Sequence, residues 1–271
     1  MKLCVLGSGS RGNAILMQAG TTKILIDAGF APRTLSRRLE TIGVDPRSIS
    51  AVVLTHEHFD HARGAAISAK KWGWSVFATA GTTGASLDLV ETPVHTISSS
   101  GNFTIDDFEL HTARTSHDAD EPVAVIATCR QTGARAAIVY DLGVMTEELN
   151  RSIQDLDVLV IESNHDPEML RNGPYPWSLQ RRIASRHGHL NNRSAGVAAA
   201  RCAHRGLKHV ILAHLSETNN TPSIAIDTMR IALSRTAFKG EVVASRQDAA
   251  SATIGVAGSR RFVPVQLSLG I

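Results

Sequence analysis

Short apolar runs of strand length follow one another from the first residues. KLCVLG, AILMQAG and TKILIDAG read as strands, and PRTLSRRLETIG as the helix after them. The pattern continues with AVVLT (strand), a helix from about Ala62 to Trp72, SVFAT (strand), a short helix near Thr82 to Leu89, VHTIS, and a hairpin over FTIDDFELHTART. PVAVIATCR and ARAAIVYD follow, separated by the turn-like QTG. The second half reads MTEELNRSI (helix), DVLVIES (strand), a polar stretch from Asn164 to Asn192, RSAGVAAARCAHRG (helix), HVILAH (strand), SIAIDTMRIALSRT (helix) and EVVASR (strand). Strands accompanied by helices in both halves imply an α/β protein of αββα type, two mixed sheets face to face with helices outside. No segment has the composition of a linker or an independent second unit, so one domain over residues 1–271 is expected. The tail after Ala250 is less patterned. Within it RFVPVQLSL reads as a strand, at a sheet edge because Pro264 lacks a donor.

Composition narrows the class without choosing a function. With 43% apolar and 20% charged residues the chain has the balance of a globular protein, not of a disordered or collagen-like one. The three cysteines, Cys4, Cys129 and Cys202, are far apart and form no C-x-x-C pair, which excludes a disulfide framework and a zinc ribbon. MKLCVLGSGS is too brief an apolar run for a secretory leader, and no stretch approaches the roughly 18 residues of a membrane span. A cytoplasmic protein without a membrane partner is therefore expected. The net charge of +3 permits an anionic substrate without demanding one.

The chemistry lies where apolar runs stop. AVVLT meets His56, AAIVY meets Asp141, DVLVI meets Glu162 and then Asn164 and His165, and VILA meets His214. Strand ends that share a sheet edge would bring these side chains together on a rigid scaffold. The densest segment is LTHEHFDH, residues 54–61, with His56, His58, Asp60 and His61. At this composition an H-x-H-x-D-H spacing arises by chance in roughly one chain of this length in a thousand, so a metal site is the reading taken. One compact loop cannot wrap all four side chains around a single tetrahedral ion and leave an open position. Two neighbouring divalent ions are the economical solution, with further ligands from His117, Asp141 and His214. Zinc suits so many imidazoles, while the carboxylates leave Mn2+ or Fe2+ open.

LTHEHFDH resembles the H-x-H-x-D-H motif of the metallo-β-lactamase superfamily of hydrolases. Together with LGSGSRGNA, ILIDAG, SHDA, YDLG, ESNHD, YP, GHLNN and AHLSETNNTP, it is similar to the YycJ/WalJ-type, nuclease-like subgroup, and more distantly to the phosphonate-pathway cyclic phosphodiesterases. The resemblance covers most of the chain. It implies His56, His58 and His117 on a first metal, Asp60, His61 and His214 on a second, Asp141 bridging both, and a water or hydroxide between the ions. It further implies a phosphodiesterase or DNA exonuclease. His58 is not the carboxylate of the iron-type oxidoreductase members, and Asp141 is not the cysteine of common true β-lactamases.

Other residues carry softer expectations. Asp60 and Asp141 are counted as catalytic through the metals, and His165 and His189, within ESNHD and GHLNN, are candidates for leaving-group proton donor. Asn164 is a candidate phosphate contact. The GSGSRGN loop, with Ser8, Ser10 and Asn13, either cradles a phosphate or simply makes a tight strand connection. Glu57 either orients a ligand or the attacking water, or is an exposed loop carboxylate. Arg181, Arg182 and Arg186 either track a nucleic-acid backbone or form a solvated face. His95, His111, His204 and His209 are read as structural. Rival functions are a metal-dependent thioester or lactone hydrolase and a non-catalytic metal-binding protein. Arg181, Arg182 and Arg186 lining the metal cleft would favour phosphodiesters.

Overall fold

The computed structural model of the chain describes residues 1–258. Its strands are β1 (Lys2–Gly7), β2 (Ala14–Ala19), β3 (Thr22–Ile26), β4 (Ala51–Val53), β5 (Ser75–Thr79), β6 (Val94–Ile97), β7 (Gly101–Ile105), β8 (Phe108–Arg114), β9 (Val123–Cys129), β10 (Arg135–Val139), β11 (Val158–Glu162), β12 (His209–Ala213), β13 (Glu241–Ala244) and β14 (Ile254–Gly255). Its helices are α1 (Pro32–Thr41), α2 (Phe59–Ala62), α3 (Ala65–Trp72), α4 (Ala80–Gly84), α5 (Leu87–Val90), α6 (Glu147–Ser152), α7 (Pro167–Asn172), α8 (Trp177–Ile183), α9 (Asn192–Arg201) and α10 (Pro222–Leu233). Among the described residues no helix is long and apolar enough to cross a membrane.

The strands form two seven-stranded sheets, ordered β14-β1-β2-β3-β4-β5-β6 and β13-β12-β11-β10-β9-β8-β7. Each is mixed. The pairs β1/β2 and β2/β3 are antiparallel and β3 through β6 parallel, while β7 through β10 are antiparallel and β10 through β13 parallel.

Strand periodicity assigns the layers. On β11, Val158 and Val160 enter the core between the sheets, while Leu159 and Ile161 point the other way, into a second core beneath α9 and α10. Neighbouring β10 divides likewise, Ala136 and Ile138 inward against Ala137 and Val139 outward. Both faces are covered, which is why these parallel strands read as unbroken apolar runs and not as alternation. The first sheet buries its outer face on α1, through Leu35 and Leu39 one turn apart, and on α3. The expected αββα sandwich is the architecture found.

Four local differences separate the structure from these expectations. The helix expected from Ala62 is broken at Arg63 and Gly64 into α2 and α3, and the one near Thr82 to Leu89 is two separate short helices, α4 and α5. The polar stretch after Asn164 contains α7 and α8. The second buries no residue at all, so it carries no apolar periodicity to read. Strand β14 pairs with β1 over only two positions, too short to leave a pattern. The RFVPVQLSL segment lies outside the described residues.

Phe108, fully buried between the sheets, should cost about 3–5 kcal/mol when changed to Ala, whereas Ile231→Ala, at a 74% exposed position, should change stability by about 0.5 kcal/mol or less. Urea unfolding of both variants checks the layer assignment, and equal losses would contradict it.

Candidate metal centre

Parallel strands deliver their C-terminal ends to one side of a sheet, and the loops leaving those ends carry the candidate ligands here. His56 and His58 follow β4, with Asp60 and His61 on the short helix α2. Asp141 follows β10, His214 follows β12, and His117 enters on the loop after β8. Asp141 and His214 hold left-handed backbone (φ 53° for each), as does Asp27 after β3 (φ 61°). Non-glycine residues rarely adopt this conformation, and it turns the chain sharply out of each strand.

All seven expected ligands converge. His56, His58 and His117 form one group with ligand atoms within 4.8 Å of one another, and Asp60, His61 and His214 form another. Asp141 groups with His56 and His61 on one side and with His214, His189 and Glu162 on the other. His58 Nδ1 lies 3.3 Å from His117 Nε2, and Asp60 Oδ2 lies 3.4 Å from both His61 Nε2 and His214 Nε2. A tetrahedral ion with bonds of roughly 2.0–2.1 Å sets its ligand atoms roughly 3.3–3.4 Å apart. The donor spacing is that of a divalent cation's coordination shell.

Satisfaction of the buried atoms agrees. His56 Nε2 and both oxygens of Asp141 are buried without a hydrogen-bond partner among the described residues; such atoms occur elsewhere in the chain too, but these three belong to one group of converging donors that a cation would satisfy. Imidazole nitrogens of His61, His214 and His189 stand 2.7, 3.0 and 3.2 Å from the Asp141 oxygens, none in hydrogen-bonding geometry. His56, His61, His117 and His214 engage Nδ1 with Thr55 Oγ1, Asp27 Oδ2, the Gly188 carbonyl and Glu162 Oε1 respectively. Each therefore keeps Nε2 for the centre, the usual division of labour in a metal-binding imidazole.

Two fully buried carboxylates anchor this arrangement. Asp27 accepts from Thr55 N and Oγ1, from Tyr140 Oη at 2.6 Å and from His61 Nδ1 at 2.7 Å. Glu162 accepts from the Leu142 and Leu190 amides through Oε2 and from His189 and His214 through Oε1. Sequence reasoning places Glu162 among the strand-end side chains without a role and does not name Asp27. Their signal was the one that marked the ligands, a carboxylate directly after an apolar run, ILI before Asp27 and DVLVI before Glu162.

Electrostatics follow from this crowding. Burial opposes ionisation of Glu162, but His189 brings its carboxyl down to about 2. Against the same penalty, His61 and His214 hold Asp60 and Asp141 far below the usual carboxylate range. Burial also disfavours charge on His189 and His214. Yet Glu162 and Asp141 push His189 up to about 11, and Asp141 pushes His214 up to about 9. His56, among other imidazoles, is pushed well down by burial. Carboxylates thus hold protons on some imidazoles that a cation would displace.

The other expected residues divide. Ser10, Asn164 and His189 line a cleft of about 300 Å³ over the centre, together with Tyr175, Leu179, Arg182 and Ile183. His165 does not line it. Its imidazole is buried, Nδ1 donating to Asn164 Oδ1, and burial takes it down to about 4, which disfavours the charged form that a proton donor would need. Ser8 and Asn13 are also buried rather than open to a substrate. Ser8 Oγ donates to Asn13 Oδ1 and accepts from His214 N, while Asn13 Nδ2 reaches Asp60 Oδ2 and His61 Nε2, so this loop braces ligands. Gly29 permits that approach, since a Cβ there would fall 1.7 Å from the Asp60 carbonyl oxygen. Glu57 accepts from Asp120 N and ties down the loop after His117. Of the basic stretch only Arg182 reaches the cleft, whereas Arg181 lies over the Trp177 ring. The four histidines read as structural stand elsewhere: His95 stacks on Phe77, and His111, His204 and His209 meet Asn102, the Leu156 carbonyl and Glu241.

Fold and site together define a metallohydrolase-type αββα sandwich. The β-lactamase superfamily domain model matches residues 22–215, and the chain belongs to that family. It is 35% identical over 225 residues to the exodeoxyribonuclease YycJ of Bacillus anthracis, covering 82% of this chain and 84% of that protein. It is 32% identical over 234 residues to the exodeoxyribonuclease WalJ of Streptococcus pneumoniae, covering 84% and 86%. Among solved structures, the metallo-β-lactamase fold protein YhfI of Bacillus subtilis superposes with a TM-score of 0.68 at 17% identity, over 92% of this chain and 98% of that one.

Glu162→Gln keeps the shape behind His214 and removes the charge. Affinity for a divalent cation, measured by chelator competition, should fall about 10- to 100-fold with the far-UV circular dichroism retained. Undiminished affinity would show that Glu162 does not set the ligands.

Proposed function

We propose that the protein is a binuclear metal-dependent phosphodiesterase, a DNA exonuclease, holding two divalent ions, Zn2+ foremost with Mn2+ or Fe2+ as alternatives. The observation that carries this reading is the pair of ligand groups with Asp141 between them. Bound there, the ions would supply Lewis acidity, making a water nucleophilic near neutral pH and offsetting charge on the phosphoryl oxygens. DNA as substrate rests on the relatives named exodeoxyribonucleases. Of the three arginines that would favour a phosphodiester over a thioester or lactone, one, Arg182, lines the cleft, paired on one edge with Asp118.

The chain's own residues do the rest. Asp27, Glu162 and the Gly188 carbonyl fix the ligand imidazoles before substrate arrives, so no reorganisation is needed at the moment of reaction. His189 has Nδ1 on Glu162 and lines the cleft with Nε2 unengaged by any described residue. Glu162 anchors the ring and favours its charged form, so His189 would donate a proton to the departing sugar oxygen. Ser10, exposed at the cleft wall, would hydrogen-bond a phosphate oxygen, whereas Asn164, buried with Nδ2 on the His214 carbonyl and Oδ1 on His165, braces the wall.

The leaving group separates these roles. Asp141→Ala should abolish metal-dependent hydrolysis of both bis-p-nitrophenyl phosphate and a DNA strand. His189→Ala should slow DNA cleavage by about 10²–10⁴-fold but affect the nitrophenyl diester much less, because nitrophenolate departs without a proton. Full turnover in Asp141→Ala would sink the assignment, and equal losses in His189→Ala would remove its role as the acid.

A further inference from the structure

Arg182 is the one Lys or Arg along the metal cleft, among the described residues that line it. Its side chain remains 68% exposed although it is tied at one edge: Nε and Nη2 both donate to Asp118 Oδ2, at 2.9 and 2.6 Å. A guanidinium carries five N–H groups in a planar fork. The Asp118 pairing uses the Nε side and leaves Nη1, with the outer hydrogen of Nη2, free for a second anion. The position is also built. Gly188 has the carbonyl oxygens of Arg182 and Ile183 each 2.2 Å from where a Cβ would sit, His189 N donates to the Ile183 carbonyl, and His117 Nδ1 donates to that of Gly188. The end of α8 that carries Arg182 is thereby clamped to two residues of the centre. Leu179 and Ile183, on the same helix, give the adjoining wall an apolar surface.

The reacting phosphate of a diester belongs at the proposed metal ligands, and Asp118 links the guanidinium to their rim: its Oδ2 accepts from Arg182 while its Oδ1 lies 3.3 Å from His117 Nε2. A fork held beside that position, with one edge occupied by Asp118 and the other open, matches the geometry of bidentate phosphate recognition. The cleft, about 300 Å³, has the size of a small-ligand pocket, which suits one nucleotide unit and not the width of a duplex. We propose that Arg182 is a specificity-determining residue that binds the phosphate next to the scissile one, with the intervening nucleoside against Leu179 and Ile183, so that the cleft selects the end of a DNA strand over an isolated diester. This rests on the phosphodiesterase reading above. Asp118 acts as the holder that keeps the open edge of Arg182 turned to the strand.

The test compares wild type, Arg182→Ala and Arg182→Lys on bis-p-nitrophenyl phosphate, on a short single-stranded DNA, and on the same strand with a neutral methylphosphonate beside the scissile linkage. Arg182→Ala should lose about tenfold more kcat/KM on the strand than on the nitrophenyl diester, mainly through KM, with Arg182→Lys recovering part of it. The methylphosphonate should cost wild type a similar factor and Arg182→Ala almost nothing further. Fluorescence anisotropy of a labelled oligothymidylate on the metal-free protein should show the same loss of affinity in Arg182→Ala. Equal losses on strand and diester, or an equal methylphosphonate penalty in both proteins, would overturn the assignment. A wild type active on the diester and inactive on every strand would overturn it while leaving the phosphodiesterase reading intact. Inactivity on both would overturn that reading and this inference with it.

Discussion

Carboxylates withdrawn from water need compensating charge, and the functional end of this protein is organised around that requirement. Asp27, Asp141 and Glu162 are each no more than 2% exposed, with Asp60 partly covered beside them. Burying an unpaired carboxylate would cost several kcal/mol. Imidazoles of His61, His189 and His214 meet these carboxylates at 2.7–3.4 Å, so the cluster stands by mutual neutralisation. The same contacts fix the imidazole rings, leaving Nε2 of His61 and His214 free of their anchoring carboxylates. Stability of the site and readiness for a cation are one arrangement.

The sheets make that arrangement affordable. Strands β10, β11 and β12 are apolar on both faces, and the second core on the outer face locks their register. Their ends are therefore fixed points from which Asp141, Glu162 and His214 project. Left-handed backbone at Asp27, Asp141 and His214 is tolerated because each side chain is held by several partners. The β1–β2 loop closes the arrangement from the other sheet, with Ser8 on the His214 amide and Asn13 against Asp60 and His61. The two halves of the sandwich thus share one centre.

Legibility in the sequence followed the strength of the local signal. Unbroken apolar runs stopping at His, Asp or Glu marked both the central strands and most ligands, because burial on both faces and delivery of chemistry at the C-terminal end leave the same trace. His117 carried a weaker signal, since β8 ends in a charged residue, Arg114, and offers no such stop; the resemblance carried by SHDA gave it a place on the first metal. Asp27 and Glu162 carried that trace but went unassigned, because sequence cannot say whether a carboxylate lies beside a cation or behind an imidazole. Ser8, Asn13 and His165 illustrate the converse: polar residues within matching blocks that prove to be buried supports, their environment set by β1, β2 and the bridge between His165 and Asn191. The cap formed by α7 and α8 was invisible as structure, since α8 packs no buried face. It nevertheless places Tyr175, Leu179 and Arg182 over the centre.

Two ions per chain sharing Asp141 is the state on which the catalytic reading depends. Anomalous diffraction above and below the absorption edge of the bound metal, on crystals of protein whose metal content has been measured by mass spectrometry, locates those ions directly. Two peaks are predicted, one enclosed by His56, His58 and His117 and one by Asp60, His61 and His214, with Asp141 touching both. A single peak, or two peaks with Asp141 coordinating neither, would contradict the account.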